Sequence, residues 1–428
     1  MTALTLATVA WTTWFLWLAI MKMRSGGNAP VHLAIVTMYI FFVAPLGLDL
    51  AFGAPDLSRF PGLSAAQAST RVDVIYLAYL AIMFPVVTTL GRSRESETKV
   101  ESTRLSLGPS LRLILSLTLA LPLLMVLLAP SPSLYSNYAV SQSPDFFGEA
   151  ALWHGYVIFS CRMAQMAGAA LLLSARKVSF GLLGVVLGAF ASVIWIDGKR
   201  SAVALSIALL LYVAWQRGAL PGKRLVAAGL ASATLLGVYS VSYQQSVRAE
   251  SHTASSYEGF RIDYGRDAQI KFAIYSQDSP SRQQVLPDGV STVPLYALQF
   301  MPRSIWSDKP LPYAQYFTSA VFNSEPKEWG WGLTTSWFGE WISNIGWVAF
   351  LVAPALYGLL CRAANRLRGS LSRSIAIICL LLLLVQHVTA FYVLLPALAV
   401  SWLYDRSSSL EELAAPETVD RASARSMN

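Results

Sequence analysis

Apolar runs separated by short polar connections fill most of this chain. They lie at about 3–21, 31–53, 73–91, 111–130, 151–175, 179–197, 201–215, 225–243, 341–361, 374–387 and 390–404. A helix needs about 20 apolar residues to cross ~30 Å of hydrocarbon, and most of these runs approach that length. The pattern predicts an all-α polytopic membrane protein with about 11 transmembrane helices, in a range of about 10–12. The last two runs, parted only by Gln386-His387, are two short helices or one long kinked helix. One stretch breaks the pattern. From Gln244 to about Trp337 the chain is polar and carries Arg248, Arg261, Arg266, Lys271, Arg282, Arg303, Lys309 and Lys327 among acidic residues. The expected organisation is an N-terminal bundle of about eight helices at 1–243, a partly helical loop at 244–340, further membrane helices at 341–404, and a tail at 405–428. The tail is rich in Ser, Ala, Glu and Arg with no apolar period, the signature of disorder.

Inside the loop, Ile270 to Tyr275 reads as a short helix or strand. Tyr313, Tyr316, Phe317, Ala320 and Val321 fall at helical spacing and predict an amphipathic helix over 313–322, lying at the membrane surface. Trp306, Trp329, Trp331, Trp337, Trp341 and Trp347 gather towards the return to the membrane. They suit an interfacial aromatic belt, a platform on which sugar rings stack, or both.

Only 13% of the residues are charged, against about 25% in an ordinary soluble chain, which excludes a soluble domain. The net charge of +8 sits mostly in short connections and carries topology, not a nucleic-acid footprint. Alternate connections and the tail hold 19 of the 32 Lys and Arg. The positive-inside bias then places the N-terminus outside, the tail in the cytoplasm and the 244–337 loop on the periplasmic or extracellular face. The first run has no basic residue before it and no cleavage site, so it reads as a span and not a removed signal peptide. Cys161, Cys361 and Cys379 lie in or beside apolar runs without metal-ligand spacing. No internal repeat of the kind found in symmetric transporters is visible.

The candidate chemistry is cationic. Arg162 falls inside an apolar run, where a charge costs about 2.5–3.5 kcal/mol at mid-bilayer, so it faces a cavity or a partner. His154, Arg162 and Gln165 share its helix face. Asp197-Gly-Lys-Arg200 forms a tight turn in which Gly supplies the bend, and it sets Lys199 and Arg200 on the side the charge rule disfavours. They bind an anion there, or snorkel to the interface. Arg248, Arg261, Arg266 and Arg303 suit charge-assisted bonds to phosphate, or loop salt bridges. No metal site and no Asp-x-Asp motif occurs in the early outer loops. A glycosyltransferase with a pyrophosphate leaving group would then rely on Arg and Lys. Glu340, at the end of Gly332-Leu-Thr-Thr-Ser-Trp-Phe-Gly-Glu340, is the leading candidate for a base that takes a proton from a sugar hydroxyl, ahead of His252 and Asp267.

Asp197-Gly-Lys-Arg200, Met301-Pro-Arg-Ser-Ile-Trp-Ser-Asp-Lys-Pro310 and Gly332–Glu340 with Asn344 and Gly346 give the chain a resemblance to the O-antigen polymerase family. These are the integral-membrane polymerases of oligosaccharide repeat units. The layout is similar over nearly the whole length. Arg248 followed by Gly259 after ten residues also looks like a spacing found in some members, but a second large outer loop is missing. The resemblance implies transfer of a polyprenyl-pyrophosphate-linked glycan to another carrier-linked repeat unit in a bacterial inner membrane. It implies no cofactor, and as partners the lipid-linked oligosaccharide, membrane lipid and a chain-length-regulating co-polymerase. Arg200, Arg248 and Arg303 would then bind pyrophosphate with support from Lys199 and Arg266. Arg162, Arg261, Trp306 and Lys309 would complete the substrate site, and Glu340 would serve as base. The alternatives are an O-antigen ligase, another lipid-linked-sugar glycosyltransferase, or a lipid-linked glycan transporter.

Overall fold

The computed structural model describes residues 2–25, 29–92, 107–138, 140, 148–220, 223–247, 256–279, 282–287, 290–299, 301–326, 328, 332–367, 370–386 and 394–403. Among these the regular structure is helical throughout, with no strand. The chain begins with α1 (Thr2–Arg24), α2 (Pro30–Met38) and α3 (Ala44–Phe52), the last two joined by a π-helical turn at Tyr39–Val43. There follow α4 (Pro61–Gln67), α5 (Thr70–Gly91), α6 (Pro109–Leu127), α7 (Gly148–Ser174), α8 (Phe180–Asp197), α9 (Arg200–Gln216) and α10 (Lys223–Val247). The polar segment contributes α11 (Ser256–Tyr264), α12 (Asp267–Gln277), α13 (Leu295–Leu298) and α14 (Tyr313–Phe322). The chain returns through α15 (Trp337–Ile345), α16 (Ala349–Arg366), α17 (Ser370–Val385) and a last helix, α18 (Leu394–Leu403).

Among the described residues, seven helical stretches are long and apolar enough to cross a membrane: Thr2–Arg24, Pro30–Phe52, Thr70–Gly91, Pro109–Leu127, Trp153–Ser174, Phe180–Asp197 and Trp337–Arg366. Four shorter apolar helices, Ser201–Gln216, Ala227–Tyr239, Ser372–Val385 and Leu394–Leu403, match the remaining predicted runs. The 17 residues of α9 span only about 26 Å, short of a full hydrocarbon core. Residues 387–393, where the final two runs meet, lie outside the described residues, as does the tail beyond Leu403.

Small residues let the frame close. A Cβ at Gly358 of α16 would sit 3.0 Å from Leu90 Cβ and 3.2 Å from the Val87 carbonyl of α5, so the two helices meet there backbone to backbone. At the end of α7, Arg217 Nη1 donates to the Leu172 and Ala175 carbonyls at 2.8 Å each, satisfying groups that the last turn leaves free.

The polar segment is not an appendage of this frame. Helix α12 packs against α4, α5 and α15, with Ile270, Ala273 and Ile274 fully buried. Its entry is pinned by the π-helical turn. Such a turn disturbs the regular backbone ladder, and here the Phe41 carbonyl accepts the Arg266 backbone N–H at 3.0 Å while the Phe42 carbonyl accepts the Tyr76 hydroxyl at 2.7 Å. Ile270–Tyr275 is therefore helical and belongs to the core.

The structure also corrects the expectation for 313–322. The helix has the predicted bounds, but Tyr313, Ala314, Phe317, Thr318, Ala320 and Val321 are all buried, so it does not lie on a membrane surface. Its aromatic face meets Leu57, Leu63 and Phe272 in a small second core. The opposite face holds no charge to keep it in water. Thr318 and Ser319 turn their hydroxyls onto the Ala314 and Tyr316 carbonyls of their own helix.

Candidate functional site

The loop's cations separate into two kinds. Arg261 is fully committed within the protein. Its Nε and Nη2 donate to the two oxygens of Asp49 at 2.8 Å each, and its Nη1 and Nη2 to those of Asp267 at 2.8 and 2.9 Å. Tyr257 adds a bond to Asp49 Oδ1 at 2.6 Å. Burial alone would raise the Asp267 carboxyl, but the Arg261 guanidinium, helped by Lys271, holds it below the usual carboxylate range. A carboxylate so engaged is unsuited to act as a base. Lys271 pairs with Asp73 at 2.7 Å and lies over the Tyr76 ring, and Arg282 pairs with Asp278 at 3.0 Å over the Tyr275 ring. Arg266 is buried, with Nε on the Val385 carbonyl at 3.2 Å and its guanidinium near Phe41. Arg248 and His252 lie outside the described residues.

Arg303 and Lys309 are of the second kind. Arg303 Nη1 donates to the Lys309 carbonyl at 2.6 Å, and Lys309 Nζ donates to the Gln299 and Met301 carbonyls at 2.6 and 2.9 Å. Each cation thus ties down the backbone around the other. Among the described residues neither has a carboxylate partner. Two positive charges therefore share one turn with only carbonyl dipoles opposite them, and desolvation together with Arg303 pushes the Lys309 ammonium below its usual value. Trp306 is half-buried in the same turn.

Glu340 stands at the other end of this substructure. Ser336 caps α15, its hydroxyl accepting the Gly339 N–H, and Glu340 follows in the first turn, where the helix dipole favours negative charge. The residue is 2% exposed. Its Oε1 accepts the Thr292 hydroxyl at 2.7 Å, while its Oε2 has no hydrogen-bond partner among the described residues, and no cation pairs with it there. The Tyr296 hydroxyl faces the carboxyl, close enough to act on its charge. Asn344, one turn on, accepts from the Ser291 hydroxyl and the Thr292 N–H at 2.9 Å each. Short helix α13 is thus held near Glu340 by Thr292 on one side and, at its far end, by Lys309 on the Gln299 carbonyl. The 303–309 cations and Glu340 are linked only through the 292–299 segment, which bonds Glu340 by Thr292 and Lys309 by the Gln299 carbonyl, and no ion pair joins them among the described residues.

The membrane candidates gather elsewhere. Arg162 Nη2 meets Asp197 Oδ2 at 2.5 Å and its Nη1 meets Gln165 Oε1 at 2.9 Å; Gln165 in turn bonds Ser206 and the Ala202 carbonyl. The partner that Arg162 requires therefore comes from the Asp-Gly-Lys-Arg turn. Gly198 closes α8 in the left-handed conformation, φ 61°, and the exposed Lys199 caps α9. The Arg200 side chain lies outside the described part of the structure. Of the tryptophans, Trp337 is buried and Trp347 exposed, a division that a uniform interfacial belt would not produce. Trp329 and Trp331 are outside the described residues.

Sequence reasoning missed Asp49, Thr292 and Tyr296. Asp49 was visible as a carboxylate ending an apolar run, a cost that requires a partner; Thr292 and Tyr296 carry no comparable signal. Comparison with protein-family models, with curated proteins and with solved structures returns no match.

Proposed function

We propose that the chain is an inner-membrane glycosyltransferase that polymerises polyprenyl-pyrophosphate-linked oligosaccharide repeat units into a surface polysaccharide. The observation that carries this reading is the separation of charge in one substructure. Among the described residues Arg303 and Lys309 have no carboxylate partner and the buried Glu340 has no cation partner. Uncompensated groups of this kind mark functional sites more often than structural pairs do. In the proposed reaction an acceptor hydroxyl oxygen attacks the anomeric carbon of the donor glycan. The bond from that carbon to the pyrophosphate oxygen breaks, the hydroxyl proton passes to Glu340, and Arg303 and Lys309 take up the charge of the departing pyrophosphate. Arg261 holds α11 and α12 in place and does not touch substrate. In the same reading all eleven apolar helices are membrane-embedded, the 244–340 segment faces the periplasm and the C-terminus is cytoplasmic.

The test is gel analysis of surface polysaccharide from a deletion strain with and without the gene. Collapse of the ladder to core plus one repeat unit supports the polymerase. Polymer accumulating on its carrier, with none on the core, identifies a ligase instead. An unchanged ladder removes this function.

A further inference from the structure

One end of the helix bundle gathers cations. Helices α2, α5 and α16 close on one another there: a Cβ added at Gly91 of α5 would fall 2.6 Å from Val31 Cγ2 of α2 and 3.4 Å from Cys361 Cβ of α16. The residue that follows each of these three is polar: Arg92 after Gly91, His32 after Val31 and Arg362 after Cys361. Arg92, and Lys22 in the last turn of α1, are exposed, and both lie within charge range of the half-buried His32. Arg362 is half-buried one turn inside the end of α16, and its Nε is buried with no hydrogen-bond partner among the described residues. A guanidinium N–H hidden from water is costly without an acceptor. Among the described residues no Asp or Glu stands on α1, α2, α16 or α17, and the one on α5, Asp73, lies at its opposite end. The connection at 93–106 holds three Arg or Lys and three Glu, so it brings no net charge to this end.

We infer that the meeting point of α2, α5 and α16 binds the headgroup of an anionic phospholipid, its phosphodiester held by Arg92 and Arg362. Phosphate oxygens are charge-assisted acceptors that suit both guanidinium groups. The surroundings select a lipid over a soluble anion. Leu359 precedes Arg362 by three residues and so shares its helix face. Leu359 and Leu360 of α16 and Met21 of α1, next to Lys22, are all exposed. An acyl chain covers such residues while its headgroup meets the bases; inorganic phosphate would leave them bare. A zwitterionic headgroup brings its own ammonium to an end that is already cationic and gains less. Basic clefts between membrane helices take acidic headgroups for these reasons. In the proposed topology this end faces the cytoplasmic leaflet. The site is defined by the helix ends and does not rest on the polymerase reading.

The test takes the full-length protein, delipidated in detergent, and titrates it with phosphatidylglycerol and with phosphatidylcholine of the same acyl chains, bound lipid being counted by native mass spectrometry. Keeping the 404–428 tail, with five acids to three bases, leaves its carboxylates in competition for the cations. One phosphatidylglycerol is expected to bind about tenfold tighter than phosphatidylcholine. Arg92→Gln and Arg362→Gln should each weaken it about fivefold, the worth of one base at an anionic surface. Unchanged phosphatidylcholine binding shows that a variant is folded, and the exposed Arg92 carries the test if Arg362→Gln is unstable. Lys177→Gln removes the same charge from the connection between α7 and α8, outside these three helices, and should leave the affinity within about twofold. Equal affinity for the two lipids, or as large a loss in Lys177→Gln, would reduce the effect to bulk charge and overturn the site. Displacement of phosphatidylglycerol by an equal concentration of inorganic phosphate would overturn the lipid assignment.

Discussion

Glu340 and Arg261 show how differently two buried charges can be treated in one protein. Arg261 has four donor contacts to two carboxylates, whereas Glu340 has, among the described residues, hydroxyl neighbours in Thr292 and Tyr296, a helix N-terminus and no cation. The first arrangement is saturated and inert; the second keeps an acceptor ready for an incoming proton. Glu340→Gln preserves volume and the Thr292 contact but removes the capacity to take that proton. It is expected to lower the rate of repeat-unit transfer by about 10²–10⁴-fold, the usual contribution of a general base. Protein level and melting temperature should stay close to those of the parent, because no ion pair is broken. Transfer assayed on purified carrier-linked repeat units checks this, and turnover within threefold of the parent would remove Glu340 from the chemistry.

At the scale of elements, the anchoring of α11 and α12 to the frame depends on Arg261 bridging Asp49 of α3 and Asp267 of α12. Arg261→Ala leaves the buried Asp267 and the half-buried Asp49 carboxylates facing each other and should cost about 3 kcal/mol. Gly265 has the same dependence by geometry: an added Cβ would fall 2.0 Å from Arg261 Nη1 and 2.7 Å from the Arg261 carbonyl, so Gly265→Ala must displace the guanidinium. The triad also sets a pH response. The Asp267 carboxyl is held below its unfolded value of about 3.9, so its stabilisation is complete above about pH 4 and is lost as pH falls through the folded value. Melting temperature measured from pH 7 to pH 3 should drop at the acid end in the parent and drop less in Asp267→Asn, which starts lower. Parallel curves would show that the triad does not govern acid stability. None of this was legible in sequence order. Asp49 and Arg261 are 212 residues apart, and the pairing exists only because the π-helical turn and α12 bring those segments together. What could be read locally was read: Tyr313–Phe322 as a helix from its 3.6-residue period, and the Gly198 turn from its glycine. Whether the apolar face of α14 met lipid or protein depended on Leu57, Leu63 and Phe272, which no local pattern connects to it.

For the whole molecule the open physical question is how many helices cross and which way the chain faces. Among the described residues seven stretches have the apolar length to cross, and α9, α10, α17 and α18 fall short of it. Between the Arg176-Lys177 connection and the 301–310 turn lie α8, which is long enough, then α9 and α10. Three crossings, or α8 alone with α9 and α10 forming a hairpin, put these two points on opposite sides; a crossing by only one of α9 and α10 puts them on the same side. About 26 Å of helix suffices for α9 if the bilayer thins locally and the long Lys199 side chain reaches the headgroups from its start. The proposed topology, drawn from the charge bias, requires 176–177 in the cytoplasm and 301–310 outside. Cysteine labelling reads this directly, and the native background is low because Cys161, Cys361 and Cys379 are buried. Ser304 and Lys177 are both exposed. Ser304→Cys is expected to react with a membrane-impermeant maleimide in spheroplasts, and Lys177→Cys only after permeabilisation. The opposite pattern would invert the chain and place Arg303, Lys309 and Glu340 on the cytoplasmic side, away from a glycan assembled outside. Labelling of both from outside would mean an even number of crossings between them, and one of α9 and α10 would then lie out of the transmembrane frame.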